Sequence, residues 1–168
     1  MKILIHDIKN DGLHDLYPKL DEDIVIFSPV QNIKKCVGCF NCWVKTPGKC
    51  IIKDGFDSMG KLLSKCEELI IISEIFYGGY SPFVKNVLDR SIGYLLPYFR
   101  IVNNRVHHKA RYKEQFKLSV IAYGDINDGE KYTISELVTA NAVNMNISSS
   151  SIVFTENIRD IRKVREVL

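Results

Sequence analysis

Residues 69–90, LIIISEIFYGGYSPFVKNVLDR, contain the elements that decide the fold. The segment opens with a continuous apolar run over residues 69–73, which is typical of a strand covered on both faces of a sheet. A Gly-Gly turn follows, and Ser81-Pro82 then has the sequence of a helix N-cap and first helical position. We therefore predict a buried strand, a glycine turn at its carboxyl end, and a helix that packs on the sheet.

The same alternation of short apolar runs and helical patterns extends along the chain. Further strands are predicted at residues 2–6, 24–28, 118–123 and 150–154, and helical stripes at 13–20, 54–66, 128–143 and 158–168, with Asp54 as the cap of the second helix. Alternation of this kind predicts a parallel sheet with helices on both faces. We expect an α/β fold, a flavodoxin-like doubly wound five-stranded parallel sheet in three α/β/α layers, with ligand at the carboxyl ends of the strands.

Composition limits the classes of function. The 168 residues predict one domain, 1–168, interrupted by an inserted cysteine loop at residues 32–53. The net charge is only +3, from 23 basic and 20 acidic residues, and no basic block suggests a nucleic-acid partner. No apolar run approaches the length of a membrane span, and the N-terminal run is too short for a signal peptide. We expect a cytoplasmic protein that binds neither membrane nor nucleic acid.

Four of the five cysteines lie within fifteen residues. Cys36, Cys39, Cys42 and Cys50 have the spacing C-x2-C-x2-C-x7-C. A tight triplet followed by a fourth cysteine is typical of an iron–sulfur cluster, whose usual chemistry is one-electron transfer. The spacing therefore indicates a redox function.

A zinc site and a metal-free loop are the two alternatives to a cluster that the cysteine spacing leaves open. Structural zinc sites usually use two separated pairs, so a triplet and a single cysteine fit zinc less well. The four thiols would also be compatible with a metal-free loop, because free cysteine packs as a small apolar residue. A disulfide framework is disfavoured in a chain of this length. Cys66 lies on the apolar stripe of a predicted helix and is expected in the core.

The cysteine run resembles that of a known group of proteins. The chain resembles the NADPH-dependent FMN reductases and iron–sulfur flavoproteins of the flavodoxin superfamily in three segments. These are residues 36–50, the Ile-Lys-Asp that ends at Asp54 just before Ser58-Met59, and residues 76–90. The resemblance covers roughly residues 24–155. It implies FMN as a cofactor, NAD(P)H as the reductant, and a flavin that passes electrons onward through a cluster on the four cysteines.

The resemblance also implies which residues contact the flavin, and it requires no catalytic nucleophile or base. The implied flavin site consists of Phe76, Tyr77, Gly78, Gly79, Tyr80 and Ser81, with Tyr123 and Gly124 on the other side of the ring. Glycines let the backbone approach a flat ligand, and aromatic side chains can flank it. We expect Phe76, Tyr77 and Tyr80 to flank the ring.

The first loop departs from the pattern of these families. Their loop binds the FMN phosphate through hydroxyls and backbone amides at a helix N-terminus. This chain has no Ser or Thr before Ser28, and Asp7 and Asp11 would repel a phosphate. The departure supports an alternative function, a flavodoxin-like protein that has lost its flavin and acts as a binding or assembly subunit.

Residues 96–117 form a long connection after the helix of residues 82–90. Connections of this length in compact domains are usually functional or disordered, and the aromatic content favours ordered packing. Leu95, Leu96, Tyr98 and Phe99 are typical of an interface core. We expect a homo-oligomer, most simply a C2 dimer, with a redox partner protein as a further possible partner.

Overall fold

A parallel sheet of five strands forms the centre of the computed structural model, which describes residues 1–8 and 23–160. In chain order the described elements are β1 (Lys2–His6), β2 (Ile24–Phe27), α1 (Asn41–Val44), α2 (Met59–Leu63), β3 (Glu68–Phe76), β4 (Gly79–Tyr80), α3 (Pro82–Arg90), a 3₁₀ turn (Ile92–Tyr94), β5 (Leu95–Val102), β6 (Arg105–Ala110), β7 (Lys117–Tyr123), α4 (Asp128–Asn144) and β8 (Ser149–Thr155). The strand order is β2-β1-β3-β7-β8. This is the flavodoxin order, so the predicted fold class is confirmed.

The three central strands are apolar because both of their faces are covered. Ile3 and Leu69 pack in the larger of two core clusters, which includes Met59 of α2, Val84 of α3 and Ile134 of α4. The next residues along the strands, Leu4 and Ile70, pack in the second cluster on the opposite face. Full burial of each such side chain contributes about 1.5–3 kcal/mol to stability.

Residues 69–90 fold as their sequence predicts. Ser81 is the N-cap of α3, and its Oγ accepts a hydrogen bond from the Val84 N–H at 3.4 Å. Pro82 occupies the first helical position, where the missing N–H leaves no bond unmade. The predicted strand is longer than its apolar run, since β3 extends to Phe76 and a two-residue antiparallel strand, β4, pairs with its end.

Three of the predicted helices differ from expectation or lie outside the described residues. The predicted cap at Asp54 is wrong: α2 begins after Ser58, and the Asp54 carboxylate instead pairs with Arg90. The first predicted helix, 13–20, and most of the closing helix, 158–168, lie outside the described residues. Within residues 1–8 and 23–160, no helix is both long and apolar enough to cross a bilayer.

The long connection after α3 is a β-hairpin. β5 and β6 pair antiparallel, with Phe99 opposite His108 and Ile101 opposite Val106. Asn103 and Asn104 form the turn with φ of 49° and 60°, the left-handed values that a tight hairpin turn requires. The sequence signal for this hairpin is therefore an Asn-Asn pair between two β-prone segments.

Candidate functional site

The four clustered cysteines line a single cavity. Its volume is about 330 Å³, and its wall includes Cys36, Cys39, Cys42 and Cys50 together with Phe40, Ile52, Asp89, Arg90 and Ile92. Cys36 and Cys39 are exposed, whereas Cys42 and Cys50 are half-buried. The structure thus brings together all four predicted ligands. Cys66 is buried in the core, as expected from its helical stripe.

Backbone hydrogen bonds bring Cys42 and Cys50 together across their seven-residue spacer. The Cys42 carbonyl accepts from the Gly48 N–H at 2.8 Å, and the Cys50 N–H donates to the Asp57 carbonyl at 2.8 Å. Gly48 has a φ of 79°, which favours glycine at this turn. The spacer therefore turns back on itself, and the fourth cysteine returns to the triplet.

Trp43 anchors the cysteine loop to the rest of the domain. Its indole Nε1–H donates to the carbonyls of Ile92 at 3.2 Å and Leu95 at 3.0 Å. Its ring contacts Phe40, with centroids 5.3 Å apart, and His108 of the hairpin at 4.8 Å. The loop is therefore fixed against the 3₁₀ turn and the hairpin.

A buried ion pair lies beneath the cysteine loop. Arg90 donates two hydrogen bonds to the Asp54 carboxylate, at 2.7 and 2.8 Å, and the pair has almost no solvent contact. The guanidinium also donates to the carbonyls of Lys34 and Ile52, which flank the cysteine run. The Arg90 hydrogen bonds hold the pKa of Asp54 well below its usual range. Arg90 thus ties both ends of the loop to α3.

The cluster and zinc alternatives differ in how far apart the four thiols must lie. Among residues 1–8 and 23–160, no three His, Cys, Asp or Glu side chains lie close enough together to hold one metal ion. A single Zn²⁺ needs four ligands at about 2.3 Å from one point. In a four-iron cluster each thiolate binds a different iron, so the sulfurs lie farther apart around a larger space. The structure places the four thiols around one cavity, and an iron–sulfur cluster there stays a prediction.

The predicted flavin-ring loop lies at the carboxyl end of β3, at the edge where ligand was expected. Phe76 is 45% exposed and Tyr77 is 96% exposed, so both rings are accessible to a ligand. Tyr77 and Gly78 have φ of 52° and 74°, and the backbone turns sharply outward here. These residues remain candidates for contact with a flat cofactor.

Tyr80 and Ser81, predicted to belong to the same site, have structural roles. The Tyr80 ring is buried in the core and its hydroxyl accepts a hydrogen bond from the Asn141 side-chain amide at 3.4 Å, so the expectation that it flanks a flavin is wrong. Burial raises the pKa of Tyr80 to about 12. The Ser81 N–H donates to the Ser73 hydroxyl, and the Ser81 hydroxyl caps α3. Neither side chain is free to bind a ligand.

Gly78 is fixed by its contact with α4. A methyl group at this position would lie 2.6 Å from the Thr133 Cβ, and the φ of 74° disfavours any other residue. We expect Gly78→Ala to destabilise the domain by about 1–3 kcal/mol. Gly79→Ala is the matched control, because its nearest contact would be 3.5 Å away and its φ is not positive. Urea unfolding of both variants tests this, and equal stabilities would contradict it.

Asp7 links the ends of the three central strands. Tyr123 donates its hydroxyl to Oδ1 of Asp7 at 2.8 Å, while the Glu74 N–H and the Ser73 hydroxyl donate to Oδ2 at 2.9 and 3.2 Å. Burial and the neighbouring Asp7 carboxylate raise the pKa of Tyr123 far above its ordinary value. Tyr123 was predicted to lie on the other side of a flavin ring, and the structure engages its hydroxyl with Asp7. His6 is also buried, which lowers its pKa.

Gly124 lies at the same sheet edge as the ring loop. Its φ is 120°, and a methyl group there would approach the Glu74 side chain of β3 at 3.7 Å. It also borders a cavity of about 180 Å³ with Asp125 and Thr155. The sheet order thus places Gly124 beside the end of β3, as the sequence predicts.

The described edge suits a flavin ring better than a flavin phosphate. Phe76, Tyr77 and the glycine backbone offer an exposed aromatic and peptide surface. At the end of β1, where the related phosphate loop begins, the structure has the buried Asp7 carboxylate. The remainder of that loop, including Asp11, lies outside the described residues.

The two predicted sites lie at opposite ends of α3. The ring loop immediately precedes its N-terminus, whereas the cysteine cavity contains Asp89 and Arg90 at its C-terminus. Nine helical residues span about 13 Å. Within one chain, the cysteine cavity therefore does not adjoin the flavin-ring loop.

Comparison with known proteins finds two similar iron–sulfur flavoproteins. The chain is 25% identical over 101 residues to an iron–sulfur flavoprotein of Archaeoglobus fulgidus, covering 60% of this chain and 40% of that protein. It is 34% identical over 61 residues to an iron–sulfur flavoprotein of Methanocaldococcus jannaschii, covering 36% of this chain and 31% of that protein. The chain thus spans less than half the length of these curated relatives. No protein-family model matches it.

Solved structures share the fold. An NAD(P)H:quinone oxidoreductase from Methanothermobacter marburgensis aligns with a TM-score of 0.61 at 10% identity, covering 98% of this chain and 94% of that one. An FMN-dependent NADH-azoreductase from Bacillus anthracis, in complex with FMN, aligns with a TM-score of 0.56 at 9% identity, covering 99% and 96%. These likenesses confirm the flavodoxin-like fold, and the sequence matches confirm the similarity to iron–sulfur flavoproteins.

Proposed function

We propose that this chain is a flavin-dependent NAD(P)H oxidoreductase or electron-transfer flavoprotein that carries an iron–sulfur cluster. The observation that carries the proposal is the convergence of Cys36, Cys39, Cys42 and Cys50 on one cavity. The similarity to iron–sulfur flavoproteins supports it. A flavin accepts a hydride and a cluster passes single electrons, so the pair would link a two-electron donor to a one-electron acceptor.

In this proposal the chain's own residues bind and orient the cofactors. The four thiolates hold the cluster, and Trp43 and Arg90 fix the loop that presents them. Phe76 and the backbone at Gly78 and Gly79 form the surface for the flavin ring. No protein nucleophile or general base is required, because the flavin supplies the hydride chemistry.

Reduction by a nicotinamide cofactor tests the flavin half of the proposal. Anaerobically purified protein is supplied with FMN, freed of unbound flavin, and mixed with NADH or NADPH. We expect the visible flavin bands to bleach with at least one of the two reductants. Protein that retains no flavin, or flavin that neither reductant bleaches, would contradict the oxidoreductase proposal.

The Asp7 network favours one alternative function. The buried Asp7 carboxylate links the ends of the central strands by hydrogen bonds. These bonds keep the sheet edge rigid without a phosphate ligand. In that case the domain would act as a binding or assembly subunit. Complete absence of flavin binding, together with a co-purifying flavoprotein, would favour this alternative.

We expect the chain to discriminate poorly between FMN and riboflavin. Asp7 places negative charge at the end of β1, where related proteins bind the phosphate. Each charge-assisted hydrogen bond is worth about 1.5–3 kcal/mol. Loss of two such bonds would weaken FMN binding by a hundredfold or more relative to an intact phosphate loop. Titration of both ligands measures the ratio of their dissociation constants. A much tighter affinity for FMN would mean that other residues provide a phosphate site.

We also propose that the chain forms a homo-oligomer, most simply a C2 dimer, through the β5–β6 hairpin. Phe99, Ile101 and Val106 share one face of the hairpin and are all exposed, which gives an apolar surface suited to a second copy. Ile101→Glu is expected to shift the mass measured by light scattering towards the monomer. Tyr132→Glu, at an exposed aromatic residue of α4, is the matched control. A wild-type monomer at tens of micromolar would contradict the proposal.

Two further expectations belong to this function. The reducing cytoplasm is the compartment that we propose, because it keeps free thiols reduced and the chain has five. Electrons would leave through a redox partner protein, and we propose no membrane or nucleic-acid partner.

A further inference from the structure

Arg90 has one buried hydrogen-bond donor without a partner, and that residue lines the cysteine cavity. The side chain is fully buried, and its Nε makes no hydrogen bond within the described part of the chain. The four terminal N–H groups are all used: NH1 donates to Asp54 and to the Lys34 carbonyl, and NH2 donates to Asp54 and to the Ile52 carbonyl. The Nε–H is therefore the donor left for a group in the cavity.

Resting on the proposed function, we propose that Arg90 is a positioning residue that donates its Nε–H to the bound cluster or to its Cys50 thiolate. This donor raises the reduction potential of the cluster. Arg90 lines the cavity and Asp54 does not, so the cation is the member of the ion pair on the side of the thiols.

The physical basis is the charge that the cluster gains on reduction. Hydrogen bonds to cluster and thiolate sulfurs stabilise the more negative, reduced state, and such bonds are among the factors that set cluster potentials. Because Asp54 binds the guanidinium through two parallel bonds, the Nε–H is held in one direction. The Lys34 and Ile52 carbonyls hold it at the base of the loop.

The test measures the midpoint potential of the cluster by anaerobic redox titration followed by electron paramagnetic resonance. Removal of Arg90 alone would leave the buried Asp54 carboxylate without its cation, with only the Lys34 and Phe56 N–H groups as partners. The double variant R90M/D54L is therefore used, since an apolar pair often replaces a buried ion pair without loss of stability. Arg90→Lys is the second variant, because it retains a cation against Asp54 but has no Nε donor. Arg100→Met is the matched control: Arg100 also has a buried Nε without a partner, yet it bonds Asn146 and Val143 away from the cavity.

We expect the midpoint potential of the cluster to fall by at least about 59 mV in both Arg90 variants, which is a tenfold change in the equilibrium of a one-electron couple. Arg100→Met should keep the wild-type potential. If the double variant loses its iron, the midpoint potential of the cluster in Arg90→Lys alone tests the inference. An unchanged or higher potential in Arg90→Lys would overturn this inference while leaving the proposed function intact. Wild-type protein without iron and acid-labile sulfide would instead overturn the proposed function, and the inference with it.

Discussion

Cys39→Ser is expected to release most of the bound iron while the chain keeps its fold. Cys39 is exposed and lines the cysteine cavity with the three other thiols, so its loss removes one ligand without opening the core. A serine hydroxyl is a poor replacement for a thiolate ligand to iron. Iron and acid-labile sulfide are measured per chain after anaerobic purification, and circular dichroism checks the fold. Anaerobic handling matters because air oxidises freed thiols.

The control for this experiment is the fifth cysteine. Cys66 is buried in the core and takes no part in the cavity, so Cys66→Ala should keep the wild-type iron content and lose only packing energy. If Cys39→Ser kept its full iron content, the four cysteines would be neighbours in a packed loop and not one ligand set.

Asp54→Ala is expected to destabilise the domain by about 3–5 kcal/mol, because it leaves the buried Arg90 charge without its partner. The free energy of unfolding is measured in urea. Asp89→Ala is the matched control: its ion pair with Lys85 is largely exposed, and such pairs contribute about 0.2–1 kcal/mol. Similar losses in the two variants would mean that the buried pair carries no special stability.

The same ion pair predicts a loss of stability in acid. The pKa of Asp54 is lower in the folded chain than in the unfolded chain, so its contribution is complete above the ordinary Asp pKa of about 3.9 and is lost as the pH falls towards the folded value. The lowered pKa of buried His6 acts in the same direction, below about pH 6.5. Wild-type stability should therefore fall between pH 6 and pH 3, and the Asp54→Ala variant should lose less below pH 4.

The sequence predicted the sheet because its signals are local. Continuous apolar runs such as that of β3, and the Ser81-Pro82 helix start, carry their own structural preferences. The β5–β6 hairpin was missed because Asn-Asn is a weaker turn signal than Asn-Gly and because its strands carry charged residues such as Arg100. The length of α2 was overestimated because Phe56 and Cys66 are buried just outside the helix and extend the apolar pattern of the sequence beyond its ends.

The grouping of the four cysteines around one cavity was predictable from their spacing, whereas the residues that support the loop were not. Nothing local links Asp54 to Arg90, since they are distant in sequence and meet only because α3 packs beside the cysteine loop. The role of Asp7 likewise depends on the sheet order, which brings Ser73 and Tyr123 to the end of β1. Tyr80 was assigned to the flavin because it is an aromatic residue in the glycine loop that resembles a flavin-ring loop, yet strand alternation turns its ring inward.

Iron and acid-labile sulfide analysis of anaerobically purified wild-type protein, with its visible spectrum, tests the central claim most directly. We predict iron and sulfide in equal amounts and a broad brown absorbance beneath any flavin bands. The cavity bounded by the four thiols is the structural reason for this expectation. Protein that contains zinc in place of iron, or no metal and four reactive thiols, would contradict the account.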